Sequence, residues 1–320
     1  MQSGKFLAGS AGRLDKVLSG KLQKSRNQIE KLIKDGLVKV NNEVILKTSF
    51  KLSCEDEIEY EFLEAVVQDY SDINIEIERL YEDDDILVIN KPSGLVVHPA
   101  PSVKEPTLVD WLRKQNIRLS TISGEERNGI VHRLDKDTSG AILIAKSNFA
   151  HEALSRQLQD RSMGRYYLAV INYPLKDDLI VNKPIARNPR NRLKMAIVDG
   201  GKDAKTAFAK VVQGPKDTEL VVAKLFSGRT HQIRVHLTTL NRYILCDRLY
   251  GASEQKLEHR MFLHAYLLYF IHPVSNELVE VRAPLFNDMQ EYFTENFNKD
   301  KEYDKLTKDE IKNYFKTTTA

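Results

Sequence analysis

Cysteine is nearly absent from this chain: Cys54 and Cys246 are the two in 320 residues, and neither sits in a CxxC arrangement. That excludes a disulfide framework and a cysteine-rich zinc site, and the usage fits a reducing cytoplasm. No apolar run approaches the roughly 18 residues a membrane span needs. The opening residues, MQSGKFLAGSAG, lack the apolar core of a signal peptide. These absences predict a cytoplasmic protein with no membrane partner. Neither a G-x-G-x-x-G fingerprint nor a P-loop occurs, which argues against a nucleotide cofactor. Internal repeats are missing too. An excess of one charge is also lacking, the net being +3, so the global balance says little about partners.

The distribution of charge says more. Residues 1–53 hold eleven Lys or Arg against four Asp or Glu, the electrostatic footprint of a phosphate-backbone binder. A merely solvated basic face is the plainer alternative. The chain exceeds the roughly 100–200 residues of one domain, which predicts a small domain over 1–62, a linker over 63–80, a larger domain over 81–297 and a charged tail over 298–320. In the small domain, Leu14, Val17 and Leu18 share one helical face. Ser25 opens a second helix with Gln28 three residues on, a capping box, and Ile29, Leu32 and Ile33 follow before Gly36 ends it. VKVNNEVI alternates about an Asn41–Asn42 turn, a hairpin signal. Lys21, Lys24, Arg26, Lys31 and Lys34 fall off the apolar stripes and are predicted to face solvent. From Tyr81, β-rich segments alternate with a few helices, of which Ser147-capped SNFAHEALSRQLQ is the clearest, so an α+β domain around an extended sheet is expected. The tail, NKDKEYDKLTKDEIKNYFKTTTA, has no strong core pattern and reads either as a peripheral helix or as partly disordered.

Chemistry concentrates in GIVHRLDKDTSG, Gly129 to Gly140, where Asp135 stands two residues after Arg133 and three after His132. A carboxylate on a tight loop beside an arginine can serve as nucleophile or general base. The same residues also fit a surface Arg–Asp pair in a turn.

HRLDKDTSG resembles the first signature motif of the RluA/RluD-type pseudouridine synthases. The resemblance continues in order: YEDDDILVINKPSGLVVHP (Tyr81 to Pro99), RYYLAV (Arg165 to Val170), SGRTHQIRVHL (Ser227 to Leu237) and RMFLHAYLLYFIHP (Arg260 to Pro273). The basic helix–hairpin module is similar to the RNA-binding domain of ribosomal protein S-four. The resemblance implies an extended mixed, largely antiparallel sheet with flanking helices, and an enzyme that isomerises uridine in RNA without a cofactor or metal. Asp135 would be its carboxylate, attacking sugar or base or deprotonating the sugar to a glycal. Tyr167 would stack on a base splayed out of the RNA, with Tyr166 on the opposite strand face. Arg234 would pair with Asp135 and keep it ionised, and Arg133 would assist flipping. Arg229 reads as structural or RNA-facing. Large-subunit ribosomal RNA is the implied substrate, with transfer RNA the alternative, and a monomer is expected. Two departures are Arg165, where the family commonly has lysine, and CDRLYG (Cys246 to Gly251), where a Gly-Asp-Pro-like turn is usual.

Two rival readings remain at this level. A metal site built on His231 and His236 suffers from their i, i+5 spacing and from having no nearby HExxH carboxylate. A non-catalytic ribosome-assembly factor would be marked by loss of the acid or its arginine, and both are present. His264, inside an apolar run, is expected to be a satisfied core histidine.

Overall fold

Apolar periodicity sets the first elements as predicted. The computed structural model describes residues 2–22, 24, 26–62, 73–100, 103–124, 127–251, 259–297, 303 and 306–315. The chain divides into two compact units, one of residues 1–72 with 121–126 and one of residues 73–120 with 127–320. In the first unit, strands β1 (Gln2–Leu7) and β2 (Gly12–Arg13) lead to helices α1 (Leu14–Leu22) and α2 (Arg26–Lys34). Strands β3 (Val38–Val40), β4 (Glu43–Val44), β5 (Lys51–Leu52) and β6 (Glu57–Phe62) follow. Leu14 and Leu18 of α1 pack fully buried against Ile29, Leu32 and Ile33 of α2 and against Val38, Val40 and Ile58 of the β1-β6-β3-β4 sheet. Asp15 stands in the first turn of α1, where a negative charge suits the helix dipole, and Arg13 holds its carboxylate bidentately at 3.0 and 2.7 Å. The amides of Gly36 and Leu37 close α2 onto the carbonyls of Ile33 and Leu32. Asn41 and Asn42, at φ 50° and 70°, supply the left-handed pair that a two-residue hairpin needs. The Ser25 cap and the side chain of Arg26 lie outside the described residues. Lys21 and Lys31 are exposed, and Lys34 pairs with Glu30 at 3.6 Å. Lys24 departs from the expectation of a free solvent-facing cation: it is half-buried, its ammonium 5.7 Å from the centre of the Phe62 ring.

The second unit begins earlier than the predicted boundary at Tyr81. Strand β7 (Glu78–Glu82) pairs antiparallel with β8 (Ile86–Lys91), and the indole of Trp111 and the ammonium of Lys114 donate to the carbonyls of Ile75 and Ile73 at 2.9 and 2.7 Å. An acidic, alternating Ile–Glu segment reads as linker by composition, but tertiary contacts recruit it. The unit continues through α3 (Leu108–Lys114), β9 (Ser139–Ala145), α4 (Asn148–Gln159), β10 (Gly164–Asn172), β11 (Leu179–Asn182), β12 (Ile185–Arg187), β13 (Met195–Ile197), β14 (Lys205–Gln213), β15 (Thr218–Leu225), α5 (Gln232–Thr238), β16 (Tyr243–Ile244), β17 (Leu263–Ile271), β18 (Leu278–Arg282), α6 (Asn287–Asn296) and α7 (Lys308–Asn313). Among the described residues ten strands share one sheet, in the order β11-β14-β15-β10-β17-β9-β8-β7, with β16 beside β10 and β18 beside β17. Every pairing is antiparallel except β17 with β9. This is the mixed, largely antiparallel α+β sheet that was expected.

Alternation along β17 sends Leu267 and Tyr269 to one apolar cluster and Leu268 and Phe270 to another. The second cluster takes in Ala150 and Leu154 of α4, whose N-cap Ser147 accepts the Ala150 amide as predicted. The first takes in Met289 and Phe293 of α6. It also contains Tyr303, Leu306, Ile311 and Phe315, so the described part of the predicted charged tail belongs to the core. Charged residues between those four apolar positions dilute the pattern that would have announced α7, although Thr307 and Glu310 form a capping box at its start.

His264 of β17 is fully buried. Its Nε2 donates to the Ala283 carbonyl at 3.1 Å, so Nδ1 is left to accept the Ser139 hydroxyl at 2.8 Å. Burial pushes its pKa down to about 4. The unfolded chain therefore binds a proton that the folded chain refuses between about pH 6.5 and pH 4, and stability falls as pH drops through that window. At pH 5 the loss from this residue is expected to be about 2 kcal/mol. Urea unfolding of wild type and His264→Gln at pH 7.5 and pH 5 checks it, the loss on acidification being smaller in the variant by about 2 kcal/mol.

Candidate active site

The motif loop carrying Asp135 runs into β9 and is held from below. Lys91, fully buried at the end of β8, donates its ammonium to the carbonyls of Pro92, Leu95 and Lys136 at 2.7, 2.9 and 3.0 Å. The Gly94 amide donates to the Lys136 carbonyl at 2.9 Å and the Ser93 hydroxyl to the Asp137 carbonyl at 2.7 Å. Two segments far apart in sequence, INKPSG and HRLDKDTSG, are thereby locked together with no orphaned lysine proton. His132 Nε2 accepts the Leu143 amide at 3.0 Å, and burial pushes its pKa down to about 3, so it serves as a neutral strut. Gly140 is obligatory here. At φ 110° a Cβ would stand 2.3 Å from the Ala265 carbonyl oxygen, where β9 and β17 meet in parallel.

Arg234 approaches Asp135 from the short helix α5. His231 precedes that helix in the left-handed region at φ 56°, and Gln232 anchors it by accepting from Ser227 and the Arg229 amide and donating to Lys205 and Thr206. The guanidinium Nη1 donates to Asp135 Oδ2 at 3.2 Å. Its stronger grip is on a residue whose role the motifs do not signal: Nε and Nη2 donate to Asp247 Oδ2 and Oδ1 at 2.7 and 2.8 Å, a bidentate pair. Asp247 Oδ1 also accepts the amides of Leu249 and Tyr250 at 2.9 and 3.0 Å. Burial alone would raise the Asp247 pKa, but the Arg234 bonds outweigh it and hold the carboxyl below its ordinary range. The Tyr250 ring lies under the Arg234 guanidinium, 5.0 Å from its centre, and the Tyr250 hydroxyl meets His231 Nδ1 at 2.9 Å. CDRLYG, noted in the sequence only as a departure from a common turn, is thus the seat of the arginine. Its acid is legible as a residue, but the pairing is not, because no spacing rule links a strand-following turn to a helix.

Both histidines of the rival metal reading are engaged elsewhere. His236 contacts the Thr206 hydroxyl and the Lys183 carbonyl at 2.9 and 3.1 Å, and His231 contacts Tyr250. Among the described residues no group of three His, Cys, Asp or Glu side chains is arranged to hold a metal ion.

These elements surround a cavity of about 930 Å3, whose walls include Arg133, Asp135, Arg165, Tyr167, Arg229 and Arg234. Tyr167 projects into it from the centre of β10, 5% exposed, and burial pushes its phenol up to about 12, so the ring is a neutral wall at pH 7. Tyr166, on the other face, packs with Tyr269 and Phe315 at ring separations of 6.1 and 5.8 Å. Arg133 is exposed on the motif loop. Arg229 is also exposed, with Nε donating to the Asp203 carbonyl at 2.9 Å. The fold therefore brings Asp135, Tyr167, Arg234, Arg133 and Arg229 to one cavity. The chemistry on offer is a carboxylate fixed by a buried guanidinium, beside an aromatic wall and a rim of cations.

Comparison with known proteins bears on that chemistry. The family model for RNA pseudouridylate synthase matches residues 85–239, a span containing Asp135, Tyr167 and Arg234, and the S4 domain model matches residues 12–58. A Helicobacter pylori protein named as an uncharacterized RNA pseudouridine synthase is 46% identical over 312 residues, 95% of each chain. The chain belongs to the RNA pseudouridine synthases. Within this family it is also 38% identical to the ribosomal large subunit pseudouridine synthase D of Zymomonas mobilis, covering 88% of this chain and 92% of that one. Among solved structures, human RNA pseudouridylate synthase domain containing 1 superposes with a TM-score of 0.55 at 26% identity, over 66% of this chain and 84% of that one. The pseudouridine synthase sheet and an N-terminal S4 domain are thus both present in this enzyme of the RluA type.

Burial separates the two acids around Arg234 in stability terms. The Asp247 side chain has no exposure and the Asp135 side chain 16%. Asp247→Ala strands a buried guanidinium and is expected to cost about 3–5 kcal/mol of folding stability. Asp135→Asn is expected to cost less than about 1 kcal/mol. Urea unfolding of the two variants beside wild type measures the contrast.

Proposed function

We propose that this pseudouridine synthase converts uridines of large-subunit ribosomal RNA, with Asp135 as the catalytic carboxylate, Tyr167 as the stacking wall and Arg234 as the partner that aims Asp135. The observation carrying the assignment is the Arg234–Asp135 contact at 3.2 Å on the wall of a cavity that Tyr167 also lines. Isomerisation breaks C1′–N1 and forms C1′–C5. The C5 proton leaves to solvent and N1 takes one up, so no atom is gained or lost. The target uridine must be splayed out of its stack to enter, and stacking on Tyr167 compensates by about 1–3 kcal/mol. Arg133, exposed beside Asp135, occupies the space the base vacates, and Arg229 meets backbone phosphate. The name of the Zymomonas relative supports the ribosomal substrate. The sparse cysteines, Cys54 and Cys246, are in keeping with work in the cytoplasm. The basic first unit supplies affinity for RNA through Lys21, Arg26, Lys31 and Lys34, with Lys24 contributing less because it is committed to Phe62.

Tritium release from RNA labelled at uridine C5 reports the new bond directly. Wild type is expected to release tritium from unmodified large-subunit RNA and not from transfer RNA, and Asp135→Asn to be slower by at least about 1000-fold while still folded. Release from transfer RNA alone would move the substrate. Silence on both, with RNA still bound, would favour an assembly factor.

Removing residues 1–62 is expected to leave the second unit folded, since its core clusters are its own. RNA affinity should fall, and the slope of log K against log salt should flatten by about 0.7–0.9 for each phosphate that no longer meets a cation. Filter binding between 50 and 200 mM salt, as about the range where such slopes are resolved, measures both.

A further inference from the structure

One cation in the cavity has no part in the chemistry assigned so far. Arg165 stands on β10 two residues before Tyr167, so the pleat turns both side chains to the same face, and both line the cavity. Arg165 is 8% exposed, and its buried Nε finds no acceptor among the described residues. The groups acting on its charge are Tyr167 and the like-charged Arg229, with no carboxylate among them. Arg234 is as deeply buried, at 5%, and has two carboxylates. The 227–229 loop lies close over Arg165, a Cβ on Gly228 standing 2.8 Å from the Arg165 Nη1.

An uncompensated buried charge is strongly destabilising, so a donor left unpaired in a cavity wall points to an acceptor that arrives with the substrate. Phosphate has other partners, since Arg127, Arg133, Arg161 and Arg229 are all exposed around the same cavity. What reaches a buried position beside Tyr167 is the base. When C1′–N1 breaks, its electron pair stays on the uracil and spreads onto the carbonyl oxygens. That charge is neutralised once C5 has bonded to C1′, the C5 proton has gone to water and N1 has been protonated.

We propose that Arg165 donates hydrogen bonds to a carbonyl oxygen of the flipped uracil and stabilises the charge that oxygen gains as the glycosidic bond breaks. The inference rests on the isomerase reading. It makes Arg165 a catalytic residue whose bond strengthens in the transition state.

The test uses the full-length protein and single-turnover tritium release at saturating RNA, on transcripts carrying uridine, 2-thiouridine or 4-thiouridine. Arg165→Met is expected to slow release from uridine RNA by about 100-fold, with RNA affinity changed less than about threefold. Arg165→Lys should recover about tenfold or more of that loss. With one of the two thio substrates, whose sulfur accepts poorly, the ratio of wild type to Arg165→Met should shrink below about tenfold and so identify the oxygen. Removing the unpaired charge should also raise the melting temperature by about 2–4 °C. The proposal is overturned if wild type is active and Arg165→Met matches its rate. An equal loss on all three substrates together with a lowered melting temperature overturns it too, since that is the pattern of a packing residue. Silence of the wild type on every RNA would instead sink the isomerase reading. The melting temperature would then still report whether the charge is unpaired.

Discussion

Arg234 is gripped by Asp247 at 2.7 and 2.8 Å in a part of the protein that water scarcely reaches, and the geometry of the cavity depends on that grip. The arginine comes from α5 and the aspartate from the turn after β16, which pairs with β10 through Ile171 and Ile244. The ion pair therefore ties the helix that carries the guanidinium to the strand that carries Tyr167. A buried pair of this kind adds little net stability over a hydrophobic one, because desolvation offsets most of the Coulombic gain. Its effect is positional. Two of the three guanidinium nitrogens are committed to Asp247, so the third has one direction left, and Asp135 lies along it at 3.2 Å. Tyr250 under the guanidinium removes the remaining freedom.

The same economy of direction explains why the motif loop needs so many neighbours. The loop bearing Asp135 has no regular ladder to fix it, so backbone carbonyls that a helix or sheet would satisfy are met by Lys91, Ser93 and Gly94. His132 and the Gly140–Ala265 contact hold the two ends of the loop to the sheet. The three ammonium protons of Lys91 are all matched within the protein. Arg165 is the contrast to Lys91: its buried Nε has no acceptor among the described residues, a departure of the kind that active sites retain at a cost in stability.

How much of this the sequence carries follows from how local each feature is. Helices α1 and α4 and the Asn41–Asn42 hairpin rest on periodicity and turn chemistry within a dozen residues, and all were legible. The segment before β7 was not, because its composition is that of a linker and only contacts with Trp111 and Lys114 make it part of the second unit. The C-terminal segment reads from sequence as either a peripheral helix or partial disorder, and its burial was hidden for a related reason. Tyr303, Leu306, Ile311 and Phe315 are spaced too irregularly among charges to show a stripe, yet all four are buried. At the site, Asp135, Tyr167 and Arg234 came from motif resemblance. Asp247 did not, because its significance is a pairing across 13 residues between a helix and a turn, and that relation exists only once the fold does.

On the proposed function, activity and choice of RNA are carried by different residues. The cavity walls hold the acids Asp135 and Asp203, the ring of Tyr167 and the buried arginines Arg165 and Arg234. Selection of a particular uridine must then come from surfaces that meet the folded RNA: the exposed arginines around the cavity and the S4 domain, in a segment with eleven basic residues against four acidic. Such contacts weaken with salt and tolerate single substitutions, whereas the Asp247–Arg234–Asp135 chain has no redundant member. On that function, change at the rim is expected to alter which uridines are modified, and change at the buried pair whether any are.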